Sequence, residues 1–282
     1  MRSISSIIQI PSFSKFPLSF DSSYSLTKEA KIENYEGYKN IDEILEVVDG
    51  IMVARGDLGI ETSFEDVPIM QKELIRKTKK TRKTIIIATH MLESMTTSIS
   101  PTRAEVGDVA NAVFEGVDAI MLSGETASGL YPLEACATQR RICERIEEAL
   151  NYHKQAEHAF NEIIKDSSDS IAYSVASTAL NIDAKYIFCF TKTGNTARRV
   201  SHYRPKAPII SISEDSKVKK VLTLSYGIYG MSKEGYETSL ASYEKIATEE
   251  AKKLGAKKDD FIIITGGDRN GNTSLMKIIQ IK

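Results

Sequence analysis

Residues 50–59, GIMVARGDLG, join a continuous apolar run to a turn that carries two glycines and two charges. Similar apolar runs recur as IIIA at 85–88 and AIML at 119–122, with their centres 33 to 35 residues apart. Runs of this length are typical of strands buried on both faces of a parallel sheet, and the spacing leaves room for a helix in each connection. The first half of the chain is therefore predicted to be α/β.

Amphipathic helices are predicted between these strands. Apolar residues spaced i, i+3, i+4 and i+7 indicate a helix over 41–48, with Gly50 as its stop. The same spacing indicates a helix over 106–114, which follows Pro101 and ends at Gly116.

A polar stretch over 151–170 separates this half from a second, smaller α/β domain. Before it, a helix over 132–150 carries Cys136 and Cys143 on one face, and both thiols are interpreted as core residues. We therefore divide the chain into an N-terminal segment over residues 1–29, a first domain over 30–152 and a second domain over 153–282. The second domain is predicted to contain helices over 170–180, from Thr193 onward and over 240–254, with strands over 186–190, 209–212, 261–265 and 275–281.

The first 27 residues contain nine serines and three charged residues, without a sustained apolar period. This composition predicts a disordered N-terminal segment, and targeting to an organelle is the alternative interpretation. We otherwise expect a cytoplasmic location.

The overall composition excludes several classes of protein. A formal net charge of −1 argues against nucleic acid as the main partner, and no apolar window is long enough to predict a membrane span. Three cysteines without a CxxC pair favour a reducing compartment. The four histidines lack HxxxH or HExxH spacing, which argues against a zinc site.

Polar residues follow each predicted strand, where parallel α/β proteins collect their functional groups. Arg55 and Asp57 form either a structural ion pair or part of a site that binds an anion and a cation. Lys31 and Glu33 are two residues apart in a strand pattern, so they lie on the same face. They form either a salt bridge or a pair in which the lysine faces a phosphate and the glutamate binds a metal ion. The next strand ends carry THMLESM at 89–95 and SGET at 123–126. Together these residues predict a polar rim.

Several of these stretches resemble the pyruvate kinase family, in the family's order. They are KIEN at 31–34, GIMVARGDLG at 50–59, ATHMLESM at 88–95, PTRAEVGDVANAV at 101–113 and IMLSGETASG at 120–129, followed by TKTGNTA at 191–197 and YRP at 203–205. The resemblance covers about 250 residues and implies the last half of a (β/α)8 barrel followed by the family's C-terminal α/β domain.

The resemblance also implies an activity: transfer of the phosphoryl group of phosphoenolpyruvate to ADP, with Mg²⁺ or Mn²⁺ and K⁺. It implies catalytic roles for Lys31 and Thr89, metal ligation by Glu33 and Asp57, and substrate binding by Gly56, Asp57 and Thr89. A sugar-phosphate effector would contact a loop and a later arginine in the second domain: Thr191, Lys192, Thr193, Gly194, Asn195, Thr196 and Arg269. Family members are usually homotetramers.

The sequence departs from the family at several positions. His90 stands where glutamine is usual, Thr193 and Asn195 replace commoner choices, and Lys28 and Glu29 stand where a barrel strand needs apolar residues. The first four barrel strands and the lid domain have no counterpart in the printed sequence, so we expect negligible activity from this chain alone. The alternatives are a C-terminal module for effector binding or oligomerisation, and a structural partner that completes another chain's barrel.

Overall fold

In the computed structural model the polypeptide divides after Leu150 into two units. The structure describes residues 6–9, 28–163, 166–267 and 272–282. Within these ranges no helix is both long enough and apolar enough to cross a membrane.

The first unit alternates strands and helices. Its strands are β1 (Ser6–Gln9), β2 (Glu29–Ile32), β3 (Gly50–Ala54), β4 (Thr84–Ala88) and β5 (Ala119–Leu122). Its helices are α1 (Tyr35–Lys39), α2 (Ile41–Val47), α3 (Arg55–Glu61), α4 (Val67–Lys80), α5 (Arg103–Glu115), α6 (Gly124–Ala127) and α7 (Pro132–Glu147), with a 3₁₀ turn over Glu93–Thr96.

The sheet of this unit has the order β1-β5-β4-β3-β2. Strands β2 to β5 are parallel and each pairs with the next one along the chain, with Lys31 opposite Met52 and Ala54 opposite Ala88. Sequential parallel pairing with helical crossovers is the topology of a (β/α)8 barrel, so the predicted partial barrel is confirmed. Among the described strands the sheet is open, and β2 lies at one edge.

The apolar runs that predicted strands β3, β4 and β5 are buried, as expected for central strands. Helix α5 begins at a capping box between Thr102 and Glu105 and ends at Gly116, whose φ of 74° only glycine adopts without strain. Two details were wrong. Gly50 does not stop a helix but begins β3, and on α5 the buried stripe excludes Val106 and Phe114, which are exposed.

The second unit contains helices and strands in alternation. Its helices are α8 (Tyr152–Glu162), α9 (Ser167–Asn181), α10 (Asn195–His202), α11 (Ser216–Leu222) and α12 (Leu240–Lys253). Its strands are β6 (Tyr186–Phe190), β7 (Ile209–Ser213), β8 (Ile228–Ser232), β9 (Phe261–Gly267) and β10 (Thr273–Gln280).

Its sheet has the order β10-β9-β6-β7-β8, parallel except for the terminal strand β10, which runs antiparallel to β9. Alternate residues of β6 enter two separate cores. Ile187 and Cys189 pack beneath α8 to α11, while Phe188 and Phe190 pack with α12 on the opposite face. The smaller α/β domain predicted from the sequence is confirmed.

Four sequence expectations differ from the structure. The polar stretch over 151–170 contains α8, whose Ala156 and Ala159 are core residues, and strand β8 was not predicted at all. Cys143 is buried as expected, but Cys136 is only partly so. Within the predicted disordered segment, residues 6–9 form β1 against β5; residues 1–5 and 10–27 lie outside the described part of the chain.

Candidate functional site

Four of the predicted site residues lie where neighbouring parallel strands end. Lys31 lies on β2 and Glu33 directly follows it, Asp57 follows β3, and Thr89 follows β4. Because β2, β3 and β4 pair in register, their carboxyl ends meet at one rim. This rim is where parallel α/β proteins carry their functional residues.

The Lys31 ammonium group contacts both predicted carboxylates. Its Nζ lies 2.6 Å from Asp57 Oδ2 and also donates to Glu33 Oε2. The hydrogen bonds to Asp57 and Glu33 raise the pKa of Lys31 above its ordinary value, so the lysine stays charged. About half of each of the three side chains is exposed, which leaves the cluster open to a ligand. This geometry is compatible with both alternatives for Lys31 and Glu33: a salt bridge, or a lysine that faces a phosphate beside a metal ligand.

The same carboxylates fit a magnesium ion. Glu33 and Asp57 bring oxygens to one point, which Lys31 Nζ now fills. Mg²⁺ prefers carboxylate oxygens and is commonly held by only one or two of them, with water and substrate phosphates completing the shell. Within the described ranges, no group of three or more His, Cys, Asp or Glu side chains could hold a metal. A metal held entirely by side chains is therefore not indicated there, whereas one shared with a phosphate is compatible.

Thr89 occupies a strained backbone conformation. Its φ of 68° is in the left-handed region, which β-branched residues rarely adopt and which costs about 1–3 kcal/mol. In this conformation Thr89 Oγ1 accepts a hydrogen bond from the Gly56 amide at 2.8 Å and donates one to Ala88 O at 2.6 Å. The predicted substrate residues Gly56 and Thr89 are thus in direct contact.

Gly56 lies close to the side chains of Thr89 and His90. A Cβ at this position would lie 3.0 Å from the His90 imidazole and 3.3 Å from Thr89 Oγ1. A side chain there would crowd the His90 imidazole and the Thr89 hydroxyl, which would have to move by a few tenths of an ångström. His90 itself is exposed and also has a positive φ, of 53°.

Two contacts near the rim could not be read from the sequence. Asp57 pairs with Lys31 rather than with Arg55, and Arg55 instead contacts Asp108 on α5, 53 residues further along the chain. Glu125, interpreted only as a rim residue, is fully buried and accepts hydrogen bonds from the Leu92 and Ser123 amides at 3.0 and 2.8 Å. The contacts of Arg55 with Asp108 and of Glu125 with Leu92 join residues 53 and 33 positions apart, which no local spacing indicates.

In the second unit the predicted effector loop precedes α10. Thr191 and Thr196 are buried and bonded internally: Thr191 Oγ1 accepts from the Gly194 amide at 3.0 Å, and Thr196 Oγ1 accepts from Thr273 Oγ1 at 3.2 Å. The exposed members of the loop are Lys192, Thr193 and Asn195. Arg269 lies outside the described residues.

These features define the class of protein: an α/β protein of the barrel class, with a lysine held between two carboxylates at the carboxyl rim and with a second α/β domain later in the same chain. The chain matches the family models for the pyruvate kinase barrel domain over residues 24–136 and the pyruvate kinase alpha/beta domain over residues 169–279. The chain belongs to the pyruvate kinase family, a family of phosphotransferases. The match begins at residue 24, earlier than the boundary after residue 29 that the charged pair at 28 and 29 suggested.

Known proteins agree with this assignment. The chain is 46% identical over 253 residues to a pyruvate kinase of Bacillus licheniformis, covering 89% of this chain and 43% of that protein. It is 43% identical over 256 residues to a pyruvate kinase of Clostridium acetobutylicum, covering 88% and 53%. The crystal structure of a pyruvate kinase from Cryptosporidium parvum matches with a TM-score of 0.85 at 37% identity, over 92% of this chain and 52% of that one. The chain thus spans about half the length of these relatives.

Proposed function

We propose that the barrel unit carries the phosphoryl-transfer site of a pyruvate kinase, which moves the phosphoryl group of phosphoenolpyruvate to ADP in the last step of glycolysis. The observation that supports this most is the contact of Lys31 with both Glu33 and Asp57 at the carboxyl rim. Phosphoryl transfer depends mainly on positioning and on neutralising the charge of the transferred group. A charged lysine beside two metal-binding carboxylates supplies these requirements.

Each residue has a role in this proposal. Lys31 faces the transferring phosphoryl group, and Glu33 and Asp57 hold Mg²⁺ or Mn²⁺, which adds positive charge at the phosphate when bound. The Thr89 hydroxyl contacts the substrate and serves protonation of the enolate through ordered water. The Gly56 and Asp57 amides receive the substrate carboxylate; since the Gly56 amide already donates to Thr89 Oγ1, substrate shares or replaces that hydrogen bond.

We also propose that the 282-residue polypeptide alone has negligible turnover. The described sheet of the barrel unit is open, with Lys31 on its edge strand β2. Neither ADP nor K⁺ has an assigned binding residue in the described part of the chain. Substrate and divalent-ion binding at the Lys31 cluster is therefore separable from catalysis.

The metal part of the proposal is tested by Mn²⁺ titration of the full chain with phosphoenolpyruvate, followed by NMR. Paramagnetic broadening should be strongest at the amides near Glu33 and Asp57, and Glu33→Gln should weaken it by about tenfold or more, because it removes one of two protein ligands. Glu244→Gln is the matched control, since Glu244 also pairs with a half-exposed lysine, Lys277. Equal broadening in Glu33→Gln and in the unaltered chain would refute the metal assignment.

A second candidate function belongs to the α/β unit: binding of a sugar phosphate at the loop before α10, or oligomerisation. The exposed Lys192, Thr193 and Asn195 support an anion-binding loop, because they combine a cation with polar side chains. Titration with a hexose bisphosphate should shift the amides of residues 192–195, and Lys192→Ala should abolish the shift. Lys185→Ala provides a control on the same unit, and shifts that survive in Lys192→Ala would exclude this loop.

A further inference from the structure

The corner after β4 has a conformation that its own residues do not favour. Thr89 and His90 are consecutive and have φ angles of 68° and 53°. The left-handed region is unfavourable for residues with a Cβ, and especially for a β-branched residue such as threonine. Two such residues in succession persist only where surrounding contacts fix the backbone.

Arg55 makes those contacts. Its Nη2 donates to the carbonyl oxygens of Thr89 and His90 at 2.8 and 3.0 Å, and its Nε also reaches Thr89 O at 3.3 Å. A planar guanidinium group can donate in several fixed directions at once, which a lysine ammonium group on its flexible stem cannot reproduce. Arg55 therefore bonds to both strained residues.

Asp108 on α5 holds Arg55 in place. Its Oδ2 accepts from Arg55 Nη1, and only 12% of the Arg55 side chain is exposed. A mostly buried guanidinium group needs a carboxylate partner, and removal of one partner of such a pair is far more costly than loss of a surface ion pair. The pair thereby joins the start of α3, the corner after β4 and helix α5.

The corner in turn places the Thr89 hydroxyl against the Gly56 amide, at 2.8 Å. We propose that Arg55 and Asp108 form a positioning pair that fixes the Thr89–His90 corner, and so sets the Thr89 hydroxyl and the Gly56 amide at the rim. Neither residue needs to touch the substrate. The pair's relevance to catalysis rests on the proposed function, whereas its effect on the corner does not.

The test is hydrogen exchange of the Gly56 amide, measured by NMR on the full chain. In Arg55→Lys and in the isosteric Asp108→Asn this amide should exchange about tenfold faster, the effect of losing one hydrogen bond. Thr89→Val, which removes the acceptor itself, gives the reference for complete loss. The amides of Ile86 and Ile87 in β4 report whether the sheet stays intact.

The control is Arg140→Lys, which alters an ion pair of ordinary surface type with Glu144 on α7. It should leave the Gly56 amide unchanged. If Gly56 exchange is unchanged in Asp108→Asn but faster in Thr89→Val, the positioning role is wrong; Asp108→Asn decides alone if Arg55→Lys fails to fold. Because exchange is measured without substrate, failure of the unaltered chain to bind phosphoenolpyruvate would refute the proposed function without affecting this result.

Discussion

The two units differ in how much apolar surface they leave exposed. In the α/β unit, apolar side chains on both faces of β6, β7 and β9 enter two cores beneath helices. In the barrel unit, the open sheet places β2 at an edge. Of the thirteen large apolar side chains that are exposed among the described residues, ten lie in the barrel unit and three in the α/β unit. None of these ten lies on a described strand, so the excess apolar surface of the barrel unit is on its helices and loops.

The two units also differ in how they position their candidate sites. The sheet of the α/β unit positions the loop before α10 without further strands. In the barrel unit Lys31 lies on the edge strand, and its ammonium group contacts Glu33 and Asp57. Edge strands with unpaired backbone groups favour pairing with other chains. The following predictions run from the largest expected effect to the smallest.

Separation of the units should have the largest effect. Residues 151–282 should unfold cooperatively as an isolated segment, whereas residues 28–150 should aggregate through their exposed apolar side chains and the edge strand β2. Circular dichroism and light scattering of the two segments test this. A segment starting at Asp166 should be less stable than one starting at Asn151, because it lacks the core residues Ala156 and Ala159. Monomeric, cooperatively folded 28–150 would contradict the comparison.

Within the α/β unit, Arg199→Met should be strongly destabilising. Arg199 Nη1 contacts Asp169 at 2.7 Å and also pairs with Asp166, and Asp169 is fully buried. Removal of the arginine takes the cationic partner from a buried carboxylate, which then keeps the hydrogen bond from the Asp166 amide, so we expect a loss of about 3 kcal/mol. Chemical denaturation of 151–282 measures the loss, with Arg145→Met as the surface control.

The same cluster should make the free energy of unfolding of the α/β unit fall at acidic pH. Hydrogen bonds from the Asp169 amide and Arg199 lower the pKa of Asp166, against the opposing effect of burial. A carboxyl group with a lowered folded-state pKa stabilises the protein above its unfolded pKa of 3.8, and this stabilisation is lost as the pH falls through the folded-state pKa. Denaturation of the 151–282 segment at a series of pH values should show the loss, and Asp166→Asn should remove it.

The barrel unit should show the opposite pH dependence through Glu29. Burial, with Asp49 and Asp118 nearby, raises the pKa of Glu29 to about 7. A carboxyl group with a raised folded-state pKa favours the folded state below its unfolded pKa of 4.5, and that advantage is lost as the pH rises through about 7. In the unaltered chain this loss of unfolding free energy should be about 2 kcal/mol after allowance for partial exposure of Glu29. Glu29→Gln should remove this pH dependence.

Unfolding of the full chain, followed by residue-specific hydrogen exchange in the barrel unit, would measure this dependence. Glu46→Gln is the exposed control. A Glu29→Gln variant with the pH dependence of the unaltered chain would show that Glu29 does not titrate in this range.

The smallest effect is expected at the end of α5. Gly116 has a φ of 74°, and Gly116→Ala should destabilise the barrel unit by about 1 kcal/mol through backbone strain. Gly107 provides the contrast, because a Cβ there meets no atom within 4 Å and the residue lies inside the same helix. Gly107→Ala should be neutral or stabilising by thermal denaturation; a destabilisation equal to that of Gly116→Ala would exclude the conformational explanation.

The sequence predicted those elements whose burial leaves a simple pattern. Strands β3 and β4 appear as uninterrupted apolar runs because both their faces are covered. Strand β8 was missed because this edge strand is half exposed and contains Gly230, and α8 was missed as core because its buried residues are mostly alanines in a polar stretch.

The site shows the same limit. Lys31, Glu33, Asp57 and Thr89 could be grouped because each lies at or just beyond the end of a predicted parallel strand. The contact between Arg55 and Asp108 could not, since it joins α3 to α5 and leaves no periodic signal. Nor does the sequence around Thr89 indicate its left-handed backbone, which tertiary contacts impose.

The most direct test of the account is a lactate-dehydrogenase-coupled assay of the purified chain with phosphoenolpyruvate, ADP, Mg²⁺ and K⁺. Lys31→Met controls for contaminating host enzyme, and Lys277→Met controls for loss of an equivalent surface lysine. We expect the unaltered chain to show no turnover above that of Lys31→Met. Turnover that disappears only in Lys31→Met would contradict the claim that the open sheet is insufficient for catalysis.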